Sequence, residues 1–330
     1  MKPPRHALTR RSFLAATGVT TGTTLAMARP ARAGQKRILL VGAAPGSAVD
    51  RIARAFAPFL ERHLPHGSLS VLNIAGNSGL AAYRTLAMAE PTGMTIGFLS
   101  TPSLPARMVD RDGGALMDQL TLLGAVHKEP ITIVSPAASP LTSPQDLFRR
   151  ASTDMEGVPF GTPAQGSPAH LAALRLQAVA GDRLNLIAFP SAAAARQAVI
   201  AGHVAAAALT FSEALDPLRD GRLIGLGIAA RDRLEAIPDL PTLRDAGFAL
   251  SAFVRRGLAV PAGTPDEVAQ RLIEAMRAVL ADPEFTIQAN ETGTRPFWTP
   301  GAAWTTQAQS ERTELAQLWQ STPWMPGAAS

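Results

Sequence analysis

The 330-residue sequence contains no cysteine, which excludes disulfide bonds, cysteine-ligated metals and thiol chemistry. It also lacks an H-E-x-x-H zinc motif, a G-x-G-x-x-G dinucleotide motif and a G-x-S-x-G nucleophile elbow. After residue 33, no segment has 18 consecutive apolar residues, the length that a membrane-spanning helix needs. These absences disfavour a redox enzyme, a zinc enzyme and a serine hydrolase, and they predict a soluble product.

The first 33 residues have the pattern of an export signal. Arg10 and Arg11 precede a weakly apolar run over residues 15–28, and an Ala-Arg-Ala cleavage site follows before Gly34. Adjacent arginines favour the twin-arginine route to the periplasm. A transmembrane anchor is the alternative. The run, however, is too short and too rich in glycine and threonine to span about 30 Å of hydrocarbon.

The signal accounts for most of the excess positive charge. It carries six of the 31 lysines and arginines and none of the 26 acidic residues, which leaves 25 basic and 26 acidic side chains. The sequence isoelectric point of about 10.5 therefore gives no support for a nucleic-acid partner. The near-neutral mature chain shows no sequence feature that indicates oligomerisation, so we expect a monomer.

Short apolar runs alternate with amphipathic segments along the mature chain. This alternation is typical of α/β proteins with mainly parallel sheets covered by helices, and the length suits two lobes. The predicted strands are 37–41, 69–74, 94–99, 122–126, 131–134, 158–161, 184–189, 204–209 and 223–228. The predicted helices are 49–64, 80–89, 144–151, 169–180, 192–201, 265–280 and 302–318.

Two loops have the composition of an anion site. Residues 42–50 and residues 161–170 each follow a predicted strand, contain glycine and serine, and lead into a predicted helix. The first turn of a helix has unpaired N–H donors and the positive end of the helix dipole, so such a loop favours an anion. Ordinary strand-to-helix turns use the same residues, so composition alone leaves both interpretations open.

The loops also resemble those of the receptors of tripartite tricarboxylate transporters, often called Bug-type receptors. The first loop corresponds to the family's P-F-P-P-G-G-G-T-D pattern, and the second to F-G-S-A-G-x-G-S-x-x-H-L with His170 in register. The resemblance extends over residues 36–320. The remaining matches are 72–79 to E-N-R-P-G-A-G-G, 91–96 to P-D-G-Y-T-L, 240–247 to V-P-T-x-x-E-A-G, 261–265 to P-A-G-T-P and 281–284 to A-D-P-E.

This resemblance implies a two-lobed, Venus-flytrap fold of the periplasmic-binding-protein type that closes over a small organic carboxylate. It places hinge crossings near residues 134–135 and 227–229, so lobe 1 comprises 34–134 plus 229–330 and lobe 2 comprises 135–228. Membrane permease subunits of the transporter are the implied partners. The resemblance implies no catalytic residue, cofactor or metal for the receptor itself. A membrane sensor kinase is an alternative partner, and a twin-arginine-exported oxidoreductase is an alternative function.

The resemblance further implies that backbone amides and small side chains of the two loops hold the ligand. Asp50 suits a helix cap better than a ligand contact, and His170 suits packing or capping. Arg255 and Arg256 are interpreted as a solvated pair. The predicted ligand-binding residues are Ala44, Pro45, Gly46, Ser47, Ala48, Asp50, Asn77, Ser100, Thr101, Ala164, Gln165, Gly166, Ser167, His170, Phe189 and Ser191.

The chain departs from the family pattern at positions expected to line the pocket. Ala43 and Ala44 replace an aromatic residue and a proline, Phe189 replaces a tyrosine, and Ala205 replaces an aspartate. The pocket thus has fewer polar groups and one ring fewer. These departures predict a ligand larger or more apolar than a C4 dicarboxylate, with one carboxylate still anchored.

Overall fold

The computed structural model describes residues 35–65, 67–111, 114–181, 183–291 and 296–325. The predicted export signal lies outside these residues. The strands of the described part are β1 Gln35–Val41, β2 Gly67–Asn73, β3 Thr95–Thr101, β4 Leu120–Pro136, β5 Val158–Thr162, β6 Leu184–Ala188, β7 Ala206–Thr210, β8 Leu223–Ile228, β9 Phe253–Pro261 and β10 Pro296–Pro300.

Helices connect most of the strands and cover the sheets. None of those in the described ranges combines the length and the apolar character that crossing a membrane requires. The helices are α1 Ala48–His63, α2 Leu80–Ala87, α3 Ser103–Asp110, α4 Pro144–Thr153, α5 Pro168–Ala180, α6 Ala192–Ile200, α7 Phe211–Arg219, α8 Asp266–Ala281, α9 Pro283–Glu291 and α10 Gly301–Ser321.

Two sheets share the 17-residue strand β4. Up to Pro130, β4 pairs with β9 and β10 in a first sheet of order β2-β1-β3-β9-β4-β10. From Ile131 onwards it pairs with β7 and β8 in a second sheet of order β8-β4-β7-β5-β6. The chain therefore passes from one sheet to the other within a single strand, and we call the two halves the first and second lobe.

Each lobe has its own apolar core. In the first lobe, α1 buries Ile52, Phe56 and Leu60 at helical spacing against β1, β3 and the strands beside them. In the second lobe, Phe160 of β5 and Leu176 of α5 are buried in a separate cluster. Complete burial of such a side chain contributes about 1.5–3 kcal/mol, so each lobe is held together chiefly by these contacts.

The two-lobed α/β fold is confirmed, but strand pairing is mixed rather than mainly parallel. The parallel pairs join β1 to β2 and β3, and β5 to β6 and β7. The antiparallel pairs all include β4 or β9. β4 belongs to both sheets, and β4 and β9 run against their neighbours, which the local alternation of strands and helices does not reveal.

The sequence interpretation split β4 in two and missed β9 and β10. In β4, residues 127–129 read His-Lys-Glu and interrupt the apolar pattern, although His127 and Glu129 are buried. In β9, Arg255 and Arg256 interrupt it in the same way. Helices α3, α7 and α9 were also missed. The predicted lobe boundaries stay a prediction, and the change of sheet falls a few residues before the predicted crossing at 134–135.

Gly257 is required where β4 and β9 approach each other. A Cβ atom there would overlap Gly124 O and lie 2.5 Å from Ala125 Cα, and both neighbours are backbone atoms of the paired strand. We expect Gly257→Ala to lower the free energy of unfolding by about 1–3 kcal/mol, because the strands must separate to admit the methyl group. Thermal or urea unfolding measures this loss.

Gly114→Ala is the matched control, since a Cβ atom at this position meets nothing within 4 Å. Its effect should stay within about 0.5 kcal/mol. Equal stability of the two variants would show that β4 and β9 are not tightly packed at this point.

Candidate functional site

The loop between β1 and α1 is fixed by its own hydrogen bonds. Gly46, with φ of +78°, completes a tight turn in which Ser47 N donates to Ala44 O at 3.2 Å. Ser47 caps α1, because its Oγ accepts from Asp50 N at 3.3 Å. The buried Asp50 carboxylate accepts from Gly46 N at 2.7 Å. The two N–H groups that follow Ser47 have no preceding helical carbonyl and are free for an anion.

The loop between β5 and α5 repeats this arrangement with different side chains. Gly166 has φ of +70°, and Ser167 N donates to Ala164 O at 2.9 Å. Ser167 Oγ accepts from His170 N at 3.3 Å, and His170 Nδ1 accepts from Gly166 N at 3.4 Å. Burial lowers the pKa of His170 to about 4, so the neutral ring can accept this bond. The two predicted loops are therefore similar turns, but Pro168 at the start of α5 has no N–H, so the second loop has one free helix donor, Ala169 N, where the first has two.

Helices α6 and α7 also begin near this site. Ser191 caps α6, with its Oγ accepting from Ala194 N at 3.1 Å. At the start of α7, Ser212 N donates to Glu129 Oε2 at 2.8 Å. The N-terminus of α7 is thus already occupied by a carboxylate of the protein. The starts of all four helices, α1, α5, α6 and α7, line one cavity.

This cavity has a volume of about 360 Å³, within the range of small-molecule sites, and residues of both lobes line it. The first loop and the end of β3 contribute from the first lobe. The second loop and the starts of α6 and α7 contribute from the second lobe. Small apolar residues form much of the wall, namely Ala44, Pro45, Ala48, Val49, Pro163, Pro168, Ala169, Ala192, Ala193 and Val254.

Arg51 connects the two sides of the cavity. Its guanidinium donates to Gly46 O at 2.8 Å and pairs with Glu213 Oε1 of α7 at 3.3 Å. Arg196 of α6 pairs with Glu213 Oε2 at 2.7 Å. The Arg51 side chain is 53% exposed, and such exposed ion pairs contribute less than about 1 kcal/mol. The contact therefore links the first loop to the second lobe without much effect on fold stability.

Arg256 of β9 also lines the cavity, and sequence reasoning missed it. Only 3% of the residue is exposed, so the interpretation of Arg255 and Arg256 as a solvated pair is wrong. Adjacent residues of a strand face opposite sides of the sheet, which gives the two arginines different surroundings. The sequence signal that could have revealed β9 was an alternation of inward and outward residues in which an arginine is allowed at an inward position.

Arg256 belongs to a buried polar cluster on β4 and β9. Its Nη1 donates to Glu129 Oε1 and lies 3.1 Å from His127 Nδ1. Burial opposes ionisation of Glu129, but the charge of Arg256 and the bond from Ser212 N outweigh it, so the pKa of Glu129 lies below its ordinary value. Burial lowers the pKa of His127 to about 4. The cluster is therefore an ion pair beside a neutral imidazole at neutral pH.

The structure brings half of the predicted ligand-binding residues to this cavity. Those that line it are Ala44, Pro45, Gly46, Ser47, Ala48, Ser100, Ser167 and Ser191. Lining residues that were not predicted include Arg51, Ser103, Thr210, Glu213 and Arg256. They come from α1, from the missed segments α3, α7 and β9, and from the end of β7.

The other predicted residues lie beside the cavity rather than on its wall. Asp50 holds the first loop and bonds to Arg54 and Asn73 at 2.9 and 2.8 Å. Thr101 accepts from Trp304 Nε1 at 3.1 Å. The side chain of Asn77 lies outside the described structure. The remainder are Ala164, Gln165, Gly166 and His170 of the second loop, and Phe189, which packs against the second-lobe core.

A second cavity of about 240 Å³ lies on the other side of β9, between α5 and α10. There Arg255 pairs with Glu311 at 3.3 Å, and Arg175 pairs with Glu314 at 3.0 Å. Burial raises the pKa of Glu311 to about 7, although Arg255 and Arg175 oppose this effect. Pro168 lines both cavities. The start of α5 therefore lies between them.

The described residues contain no group of three His, Asp or Glu side chains placed to hold a metal ion. The site instead offers backbone N–H groups, hydroxyls and guanidinium groups. Donors of this kind bind an anion without a metal.

Comparison with known proteins agrees with this chemistry. Residues 52–317 match the sequence model of the tripartite tricarboxylate transporter family receptor. A UPF0065 protein of Bordetella bronchiseptica is 29% identical over 248 residues, which cover 74% of this chain and 73% of that protein.

Two solved structures show the same fold. MatC from Rhodopseudomonas palustris with bound malate has a TM-score of 0.76 and 21% identity, over 86% of this chain and 98% of that one. Another R. palustris protein, solved with adipate, has a TM-score of 0.77 and 21% identity, over 87% and 97% of the respective chains. The resemblance seen in the sequence is thereby confirmed.

Gly166→Ala should damage the second loop. A Cβ atom there would overlap Arg107 Nη2 and lie 2.9 Å from Asp110 Oδ2, a buried pair on α3. We expect a loss of about 1–3 kcal/mol from this overlap in addition to the strain of a left-handed alanine. Thermal unfolding measures the sum.

Gly181→Ala serves as the control, because Gly181 has φ of +77° and its Cβ would meet nothing within 4 Å. The Gly181→Ala variant therefore has the strain of a left-handed alanine without an overlap with a neighbouring side chain. The same fall in Tm for both variants would mean that the buried Arg107 pair moves aside freely.

Glu311 should make stability depend on pH. Its folded pKa of about 7 lies above the ordinary value of 4.5, so the folded state binds the proton more tightly. Stability should therefore rise as pH falls from 8 towards 5, by at most about 3 kcal/mol. We expect Glu311→Gln to remove this rise and to be at least as stable as the wild type at pH 8.

Glu314→Gln is the control, since it removes a more exposed carboxylate from the same helix and cavity. Chemical unfolding at several pH values makes the comparison. A wild-type slope that persists in Glu311→Gln would assign the pH dependence to another group.

Proposed function

Because the chain belongs to the tripartite tricarboxylate transporter receptor family, we propose that it captures a small organic carboxylate between its lobes and delivers it to membrane permease subunits. It is a solute-binding receptor of that family, and the proposal concerns its ligand and its partner. The proposal places the mature protein, without residues 1–33, in the periplasm as a monomer.

One observation carries this proposal: similar glycine–serine turns from opposite lobes line the same cavity. Each turn is followed by the N-terminus of a helix, and the start of α6 adds a third. Helix N-termini stabilise a bound anion, and a carboxylate that touches both lobes favours the closed form. The relatives solved with malate and with adipate support a carboxylate as the ligand.

The walls support a ligand with an apolar body. Alanine, proline and valine side chains form much of the lining, while the polar groups are mainly serines at the helix starts. Apolar atoms of a ligand gain about 25 cal/mol per Å² when such walls remove them from water. Of the expected pocket positions where alanine replaces a family residue, Ala44 lies on this wall, whereas Ala43 and Ala205 pack against the cores of the lobes instead. The candidate ligand is therefore a carboxylate with a larger apolar part than malate.

The lobe boundaries at 134–135 and 227–229 are part of the same proposal. Strand pairing supports a crossing within β4, where the first sheet ends at Pro130 and the second begins at Ile131. Closure of the two lobes about this crossing would bring the two loops to opposite sides of one ligand carboxylate.

A thermal-shift screen tests the proposal. We expect at least one of malate, adipate, hexanoate and benzoate to raise the Tm by several degrees, since a ligand at a hundredfold excess over its Kd stabilises by about 2.7 kcal/mol. Binding of hexanoate or benzoate more tightly than malate would support the apolar pocket. No response to any of the four acids would contradict the proposed function.

A variant with Ser47→Leu and Ser167→Leu should lose this response, because the bulky side chains fill the cavity at both turns. Each change also removes a helix cap worth about 1 kcal/mol, so the unliganded Tm falls as well. Ser143→Leu removes the same kind of cap from α4, where Ser143 Oγ accepts from Asp146 N at 3.1 Å. That control should keep the full response. An undiminished response in the double variant would place the site elsewhere.

A further inference from the structure

We propose that Arg256 binds the ligand carboxylate directly, so that this receptor anchors its ligand through a guanidinium as well as through backbone amides. The inference rests on the proposed function, because it assigns a side chain within the same cavity. It adds a buried charge to a site otherwise built from helix N-termini and hydroxyls.

The hydrogen bonds of Arg256 leave one side of its guanidinium unused. Nη1 is occupied by Glu129 and lies beside His127. Nε is buried and has no partner, and no hydrogen bond from Nη2 to any described residue occurs. Arg256 lines the cavity, and the proposal assigns its unpaired Nη2 to a molecule inside it.

No described residue of the lining accepts a hydrogen bond from either of these two nitrogens. Glu213 is the acidic residue on the described lining, and its two oxygens pair with Arg51 and Arg196 at 3.3 and 2.7 Å. Nε is the buried nitrogen without a partner, whereas Nη2 is not among such buried atoms and is accessible. A ligand carboxylate that accepts from Nη2 would replace solvent at this donor with a charged partner.

The guanidinium is held in place before any ligand arrives. Glu129 accepts from Arg256 through Oε1, and it accepts from Ser212 N at the start of α7 through Oε2. The carboxylate that orients Arg256 is therefore itself fixed by a helix N-terminus. A side chain oriented in this way loses little entropy when it binds, which favours affinity.

Burial also makes the contact strong. Arg256 is 3% exposed and Glu129 is 2% exposed, so water screens their charges weakly. Hydrogen bonds between a guanidinium and a carboxylate are about twice as strong as neutral ones. The loss of such a contact weakens binding by roughly 10- to 100-fold.

Isothermal titration calorimetry with malate, adipate, hexanoate and benzoate identifies the acid that binds the wild-type protein best. We expect Arg256→Gln to bind that acid about 10- to 100-fold more weakly, and Arg256→Lys to recover part of the loss. The primary amide of the same acid provides the decisive readout. Every carboxylate of the acid is converted to the amide in this analogue, and its affinity should fall less in Arg256→Gln than that of the acid, since a neutral amide oxygen makes a weaker bond to a guanidinium than a carboxylate does.

Arg255→Gln is the matched control. Arg255 is the neighbouring residue on β9, and it lines the second cavity instead. Its substitution should change the affinity for the acid less than about threefold. Equal losses for the acid and its amide in Arg256→Gln, or full affinity in that variant, would overturn the proposal.

If Arg256→Gln fails to fold because Glu129 loses its partner, the double variant Arg256→Gln with Glu129→Gln removes both charges together. We expect it to fold and to show the same loss for the acid. A crystal structure of the wild-type complex should show a carboxylate oxygen within about 3.2 Å of Nη2. A carboxylate held only by backbone amides, or through a water, would overturn the inference. Failure of all four acids to bind the wild type would contradict the proposed function itself.

Discussion

The antiparallel pairing of β4 with β9 is the contact that attaches the first sheet to the strand shared by both sheets and that places Arg255 and Arg256 at the two cavities. β4 changes sheet between Pro130 and Ile131, and β9 pairs with it up to that point. The strands approach so closely that Gly257 faces the backbone of β4 directly. Neighbouring residues of β9 then reach opposite cavities, with Arg256 in the first and Arg255 in the second. A movement of the lobes about these strands therefore changes both cavities together.

The two loops show how different residues produce a similar turn. In the first loop, the side chain that accepts from the turn glycine N–H is a carboxylate, Asp50, and in the second it is a neutral imidazole, His170. Both leave a serine at the N-cap, followed by two free backbone donors in the first loop and by one, Ala169 N, in the second, where Pro168 has no N–H. Backbone donors carry affinity for an anion but little information about the rest of the ligand. Selectivity must then come from the walls and from the few charged side chains.

Much of the fold and of both loops could be predicted from local sequence patterns. Ser47 and Ser167 precede amphipathic segments, and they cap helices as that pattern indicates. Residues whose role depends on distant partners could not be placed in this way. Thr101 bonds to Trp304, which lies far along the chain, and Phe189 packs into the second-lobe core. Arg256 was missed for the same reason, because its burial depends on Glu129 of another strand.

The charges around the cavity show where the attraction for an anion comes from. The charged side chains that line it are Arg51, Arg256 and Glu213, and those that bond to its lining are Arg196, Glu129 and Asp50. These three basic and three acidic side chains balance one another, so the helix N-termini supply the net positive potential. The side-chain charges therefore do not distinguish a monocarboxylate from a dicarboxylate. A preference for a ligand with an apolar body depends instead on the alanine, proline and valine side chains of the walls, which remove its apolar atoms from water.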